Sequence, residues 1–232
     1  VDDEQFSRRL KLASRLDRAF SSRYDQSQVK AYNDMYNDAI TLMQSEDLAA
    51  FDLNKESRAV RNLYGNNSFG QGCLLARRLV QNNVRFVEVS LGGWDMHDDM
   101  FRRGSELIPR LDQALGALMT DLTQLGLIDR TLVVLATEFG RTPKINGNEG
   151  RDHYPKAFSC MLAGANVKGG QIVGKTDKNA ANVESDKISI TDFNATIAAA
   201  VGIDTEKIVY SPSRRPFTVA NKGKVIDGVL DL

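Results

Sequence analysis

Histidine is nearly absent from this chain: 232 residues hold only two, His97 and His153. Cysteine is as scarce, with Cys73 and Cys160 alone, and Trp94 is the single tryptophan. Each cysteine sits in an apolar setting, one in a predicted helix and one in a predicted strand, so both read as buried free thiols. A disulfide between them would need their Cα atoms within about 7 Å. An excess of charge is also missing. The 30 Lys and Arg residues balance 30 Asp and Glu, which gives no support to a nucleic-acid or anionic-membrane partner. No apolar run approaches the roughly 20 residues of a membrane span, and there is no internal repeat or low-complexity linker. No signal peptide is found; the chain begins Val1-Asp2-Asp3-Glu4 without an initiator methionine, so that lack says little about its compartment. A composition of 42% hydrophobic and 26% charged residues is that of an ordinary globular protein.

Amphipathic periodicity is plentiful. Phe6, Leu10, Ala13, Leu16 and Phe20 follow each other at steps of three or four, and Val29, Tyr32, Tyr36, Ile40 and Met43 repeat the pattern. Together they predict an N-terminal helical hairpin with nothing chemical in it. Asn54 is a candidate cap for a short helix that Gly65 ends, and a further helix is expected from Phe69 to Gln81. The clearest helix runs from Ser105 to Gly126, striped by Leu107, Leu111, Leu115, Leu118, Leu122 and Leu125. Val84 to Leu91 and Leu132 to Thr137 read as buried strands on either side of it. Strand, helix, strand predicts a parallel βαβ unit. Ala157 to Ala163 reads as a third strand, Gly169 to Gly174 as an edge strand, and Thr191-Asp192 as the cap of a helix through Val201. A hairpin is expected between Pro216 and Ile226. The predicted fold is therefore α/β, a three-layer doubly wound, mostly parallel sheet. Its domains are a helical region at 1–65 and the α/β body at 66–232.

The candidate chemistry lies in three segments placed after strands or in loops, where α/β enzymes put their functional groups. Gly92-Gly93-Trp94-Asp95-Met96-His97 sets a carboxylate two residues from one histidine. Gly150-Arg151-Asp152-His153-Tyr154-Pro155 sets another beside the second. Glu138-Phe139-Gly140-Arg141-Thr142-Pro143 adds a carboxylate and an arginine. Carboxylates and neutral imidazoles converging on one point make a metal site, with Asp95, His97, Glu138, Asp152 and His153 as the candidate ligands. The bland alternative is that each carboxylate orients a neighbouring histidine or caps a turn. The Arg141 guanidinium suits bidentate capture of a phosphate or sulfate, or else a salt bridge to Glu138 or Asp152. Trp94 and Tyr154 either wall a pocket or simply pack.

These three runs, followed by Leu162-Ala163-Gly164-Ala165-Asn166-Val167-Lys168-Gly169-Gly170, resemble in order and spacing the sulfatase-like family called domain of unknown function 1501, placed in the alkaline phosphatase superfamily. The likeness runs from about residue 48 to the C-terminus. It implies two divalent metals, zinc foremost with manganese or calcium as alternatives, and hydrolysis or transfer of phosphate or sulfate esters of small molecules or glycans. By position, Asp95 and His97 match the Asp and His of the first metal, and His153 its late histidine. Glu138 falls where the superfamily has an Asp-His pair for the second metal. Arg141 takes the anion-binding, catalytic part, with Trp94 and Tyr154 beside the substrate. No nucleophile is identified in this chain, because no apolar strand ending in Asp precedes residue 84. Relatives with a twin-arginine export signal imply a periplasmic or secreted home.

The expectation is thus a metal-dependent hydrolase of phosphate or sulfate esters, with a non-catalytic exported binding protein as the alternative. The few strands found further suggest that residues 1–232 are the C-terminal section of a longer polypeptide, whose N-terminal portion would complete the sheet.

Overall fold

A computed structural model describes residues 3–21 and 27–231. The chain divides into two compact units, Val1–Asp52 and Leu53–Leu232. In the first, the expected helices form as α1 (Asp3–Ser21) and α2 (Ser27–Gln44), followed by a 3₁₀ stretch, Glu46–Phe51. Tyr32 and Tyr36, one turn apart on α2, stack with ring centroids 6.4 Å apart. The Leu16, Phe20 and Val29 side chains of the predicted stripes lie outside the described ones.

The second unit holds four α-helices among the described residues, three of them gathered around one core. Ser57 rather than Asn54 caps α3 (Arg58–Tyr64), accepting a hydrogen bond from the Val60 N–H, and Gly65 ends the helix at φ +90°. Asn67 caps α4 (Ser68–Gln81). α5 (Met100–Gln124) starts five residues before the leucine stripe suggests. Its opening N–H, at Met100, donates to Glu149 O, so a loop supplies what the helix lacks there. The core joins Tyr64, Cys73, Leu74 and Ala114, with Phe69, Val89 and Leu118 packed around them. Helix α4 approaches the end of α3 so closely that a Cβ on Gly70 would stand 2.0 Å from Tyr64 O. A second cluster sets α6 (Ile190–Ala200, capped by Ser189) and Val229–Leu230 against Leu132 and Leu162.

The predicted parallel sheet is not there. Among the described residues the strands form four separate two-stranded antiparallel sheets. β1 (Leu132–Leu135) pairs with β4 (Met161–Gly164), and β2 (Gly140–Arg141) with β3 (His153–Tyr154). β5 (Lys175–Thr176) pairs with β6 (Val183–Ser185), and β7 (Ile208–Tyr210) with β8 (Pro216–Thr218). Val84–Leu91 lies outside all of them. Its sequence alternates, so only Val87, Val89 and Leu91 turn inward, while Phe86 is 81% exposed. Val89 packs on the α3–α5 core and closes on the bare Gly72 of α4. The segment therefore uses its side chains on helices and leaves its backbone without a ladder. Without that first strand α5 has no parallel pair to cross between. The segment from 136 to 160, joining β1 to β4, carries no helix, so it returns antiparallel. Gly169–Gly174 stays unpaired, with pairing starting at Lys175, and the C-terminal hairpin falls earlier than expected, at β7–β8. Among the described residues no helix is long and apolar enough to cross a membrane.

Candidate metal centre

The two-residue ladder of β2 and β3 sets Arg141 opposite His153. Directly opposed residues of an antiparallel pair project to one face, and both side chains reach the same atom. Arg141 Nη2 lies 2.8 Å and His153 Nε2 2.9 Å from Asp95 Oδ1. His97 Nε2 lies 3.0 Å from that oxygen and 3.2 Å from His153 Nε2. Three donor atoms from two distant segments thus stand within hydrogen-bond distance of one another. Phe139 covers His153 with ring centroids 4.4 Å apart.

Backbone bonds hold the two histidine loops together. Asp98 bridges to Glu149, Asp99 N donates to Asn148 O, and Arg151 N donates to Met96 O. Gly150 permits this closeness, since a Cβ there would stand 2.0 Å from the carbonyl carbon of His97. Asn146 ties the knot with its side chain. Its Nδ2 donates to His97 O at 3.0 Å and to Asp152 Oδ1 at 3.2 Å, while its Oδ1 accepts from the N–H groups of Asn148 and Gly150. Nothing in the sequence singles out Asn146 beyond the general taste of asparagine for such turns.

Asp152 supports rather than joins the trio. Its Oδ1 lies 2.8 Å from His97 Nδ1, so the ionised carboxylate accepts the Nδ1–H hydrogen bond and leaves the Nε2 lone pair aimed at the cluster. The His97 hydrogen bond and that of Asn146 hold the Asp152 carboxyl below its ordinary value. Hydrogen bonds from His153 and then Arg141 push Asp95 down further, so this carboxylate stays ionised far into acid. Glu138, exposed on the bend after β1, stands outside the group formed by Asp95, His97 and His153. Arg141 pairs with Asp95 instead of Glu138 or Asp152. Tyr154 turns away and donates to Ala181 O at 2.7 Å. Trp94 lines a pocket beside Arg141.

The donor set fits one metal ion. Around a tetrahedral zinc with ligands at about 2.0–2.1 Å, neighbouring donors lie about 3.3 Å apart; the observed separations of 2.9, 3.0 and 3.2 Å are close to that edge. Two imidazole nitrogens and one carboxylate oxygen are ligands of the right kind. Asp95, His97 and His153 would hold such an ion with three protein ligands, one fewer than the four of a structural zinc site. The same residues do not fit a pair of metals: Asp95, His97 and His153 are the one such cluster among the described residues.

Cys73 is buried and Cys160 exposed, and both are free. No curated protein and no solved structure matches the chain. A family model does match it, over residues 1–230, which takes in the N-terminal helices that the motif resemblance covers only loosely. The chain belongs to that family, described as protein of unknown function DUF1501.

Proposed function

We propose that the chain is a metal-dependent hydrolase of phosphate or sulfate esters, with chemistry of the alkaline phosphatase superfamily. The observation that carries this reading is the convergence of Asp95 Oδ1, His97 Nε2 and His153 Nε2 with the Arg141 guanidinium on the same carboxylate. Asp95, His97 and His153 would hold the ion, and Asp152 would orient His97 through its Nδ1 proton. A bound divalent metal supplies Lewis acidity toward the ester oxygen and stabilises charge on the leaving oxygen. Arg141 donates two of its hydrogen bonds to Asp95 and to Arg151 O; of its five N–H donors, the rest are left for the anionic oxygens of an ester.

A binding protein without catalysis is the second reading. It is favoured by one observation: among the described residues, no Ser, Thr or Cys side chain hydrogen-bonds to the three donor atoms. Elemental analysis of the purified protein and assays with phosphate and sulfate esters separate the two. The hydrolase reading expects about one zinc per chain, lost in His153→Ala, with ester cleavage that falls about 100-fold in Arg141→Ala. Stoichiometric metal without cleavage of any ester would leave the binding protein standing. Metal-free protein that keeps full activity would sink both.

A further inference from the structure

A pocket of about 310 Å³ opens beside the cluster, lined by Trp94, Met96, Met100, Phe101 and Ile108. Its walls come from the glycine-led loop and the first turns of α5. Along that extended loop side chains alternate, so Asp95 and His97 serve the donor cluster while Trp94 and Met96 serve the pocket. Arg141 is the side chain common to both, touching Asp95 and lining the pocket. Arg151 also lines it, its guanidinium donating to the carbonyls of Thr142 and Pro143 at 2.7 Å each. Among the described residues no carboxylate pairs with Arg151, so its charge stands uncompensated at an otherwise apolar cavity.

An apolar cavity with two guanidiniums in its wall suits an amphipathic anion. We propose that this pocket receives the aryl or short alkyl group of an anionic monoester whose charged head meets Arg141 and Arg151. The proposal rests on the ester-hydrolase reading and narrows its substrate class. The volume lies at the small end of ligand pockets, about 300–1,000 Å³, enough for a small ring or short chain. A sugar fits poorly, because its hydroxyls need partners. The one hydroxyl in the lining, that of Ser105, already donates to Arg102 O at 2.7 Å.

Trp94 is the only tryptophan and is 37% exposed at the pocket wall, so intrinsic fluorescence reads occupancy directly. The titrants are phenyl phosphate and phenyl sulfate, each against the matching inorganic anion, with zinc-loaded protein. The expected result is a saturable change in emission and an affinity at least about 10-fold tighter for a phenyl ester than for its inorganic anion, equal to about 1.4 kcal/mol. Whichever ester shows that gap names the head group. Ile108→Ser and Phe101→Ser, at exposed positions of α5, should erase the gap while zinc content is retained. Equal affinities for phenyl ester and bare anion, or a gap that survives both substitutions, overturns the proposal. A phenyl ester bound with this preference but never cleaved defeats the hydrolase reading and leaves the pocket standing. Cleavage of phenyl and methyl esters with equal kcat/KM does the reverse.

Discussion

Asp152 Oδ1 and His97 Nδ1 lie 2.8 Å apart, and that one contact decides which imidazole nitrogen faces the candidate metal. A carboxylate behind a histidine ligand fixes its tautomer and raises its basicity, and its loss typically weakens metal affinity about 10–100-fold. Asp152→Asn should therefore bind zinc within that range of the parent but more weakly, as read by competition with a chelator. The side chain is 56% exposed, so the unfolding temperature of the metal-free protein should hardly move. An unchanged affinity would remove Asp152 from the site.

Gly150 makes a sharper test of how the two loops are held. A Cβ there meets the backbone of His97 and Asp98 at 2.0–2.4 Å, and backbone cannot swing aside as a side chain can. Gly150→Ala should lose metal binding and about 1–3 kcal/mol of stability, the usual cost of overpacking. Gly147, in the same loop, has nothing within 4 Å of its would-be Cβ, so Gly147→Ala should match the parent. If both variants behave alike in denaturant melts and zinc titration, close approach is not what Gly150 provides.

The helices were legible because their periodicity is local. Steps of three and four place Leu74 of α4 and Leu118 and Leu122 of α5 correctly without knowledge of any neighbour. Strand pairing is not local. Val84–Leu91 has the composition of a strand, yet composition cannot say that Val89 will pack on Gly72 instead of a partner strand filling the backbone ladder. The candidate site divides along the same line. The spacing of Asp95 and His97, and the adjacency of Asp152 and His153, point to two loops that the structure brings together. Glu138 carries a carboxylate as they do, but it is exposed on the bend after β1 and stands outside the group of Asp95, His97 and His153. The part Asn146 plays depends on contacts with four residues across the loop, which no spacing rule encodes.

The two thiols should differ widely in reactivity. Burial pushes the Cys73 thiol up to about 11, and reaction needs the thiolate. Cys160 is exposed. At pH 8 a thiol reagent should label one equivalent quickly in the folded protein and the second only after denaturation. Mass mapping should place the fast label on Cys160. Rapid labelling of Cys73 would mean that the α3–α5 core opens readily.

The last prediction concerns the charged cluster under that core. Arg77 Nη2 lies 3.0 Å from Glu56 Oε2 and its Nε 3.2 Å from Asp121 Oδ2, while Tyr64 donates to Asp121 at 2.9 Å. Arg78 binds the other Glu56 oxygen. The Arg77 and Glu56 side chains are only 8% and 14% exposed, so solvent screens them little. Burial alone would raise the Glu56 carboxyl, but the hydrogen bonds from Arg77 and Arg78 outweigh it and leave it below its ordinary value. A lowered folded value means that the stabilisation is complete above the unfolded pKa, near 4.3, and drains away as pH falls through the folded one. Removing one partner of a buried pair costs about 3–5 kcal/mol, and Asp121 still serving Arg77 argues for the lower end. Glu56→Ala should therefore lose about 3 kcal/mol at pH 7, which for a unit of this size is a fall in Tm of about 6–12 °C. The gap between parent and variant should narrow as the pH is taken from 5 to 3, since acid removes from the parent what the substitution removes from the variant. A gap constant across that range would show that Glu56 acts through packing and not through its charge.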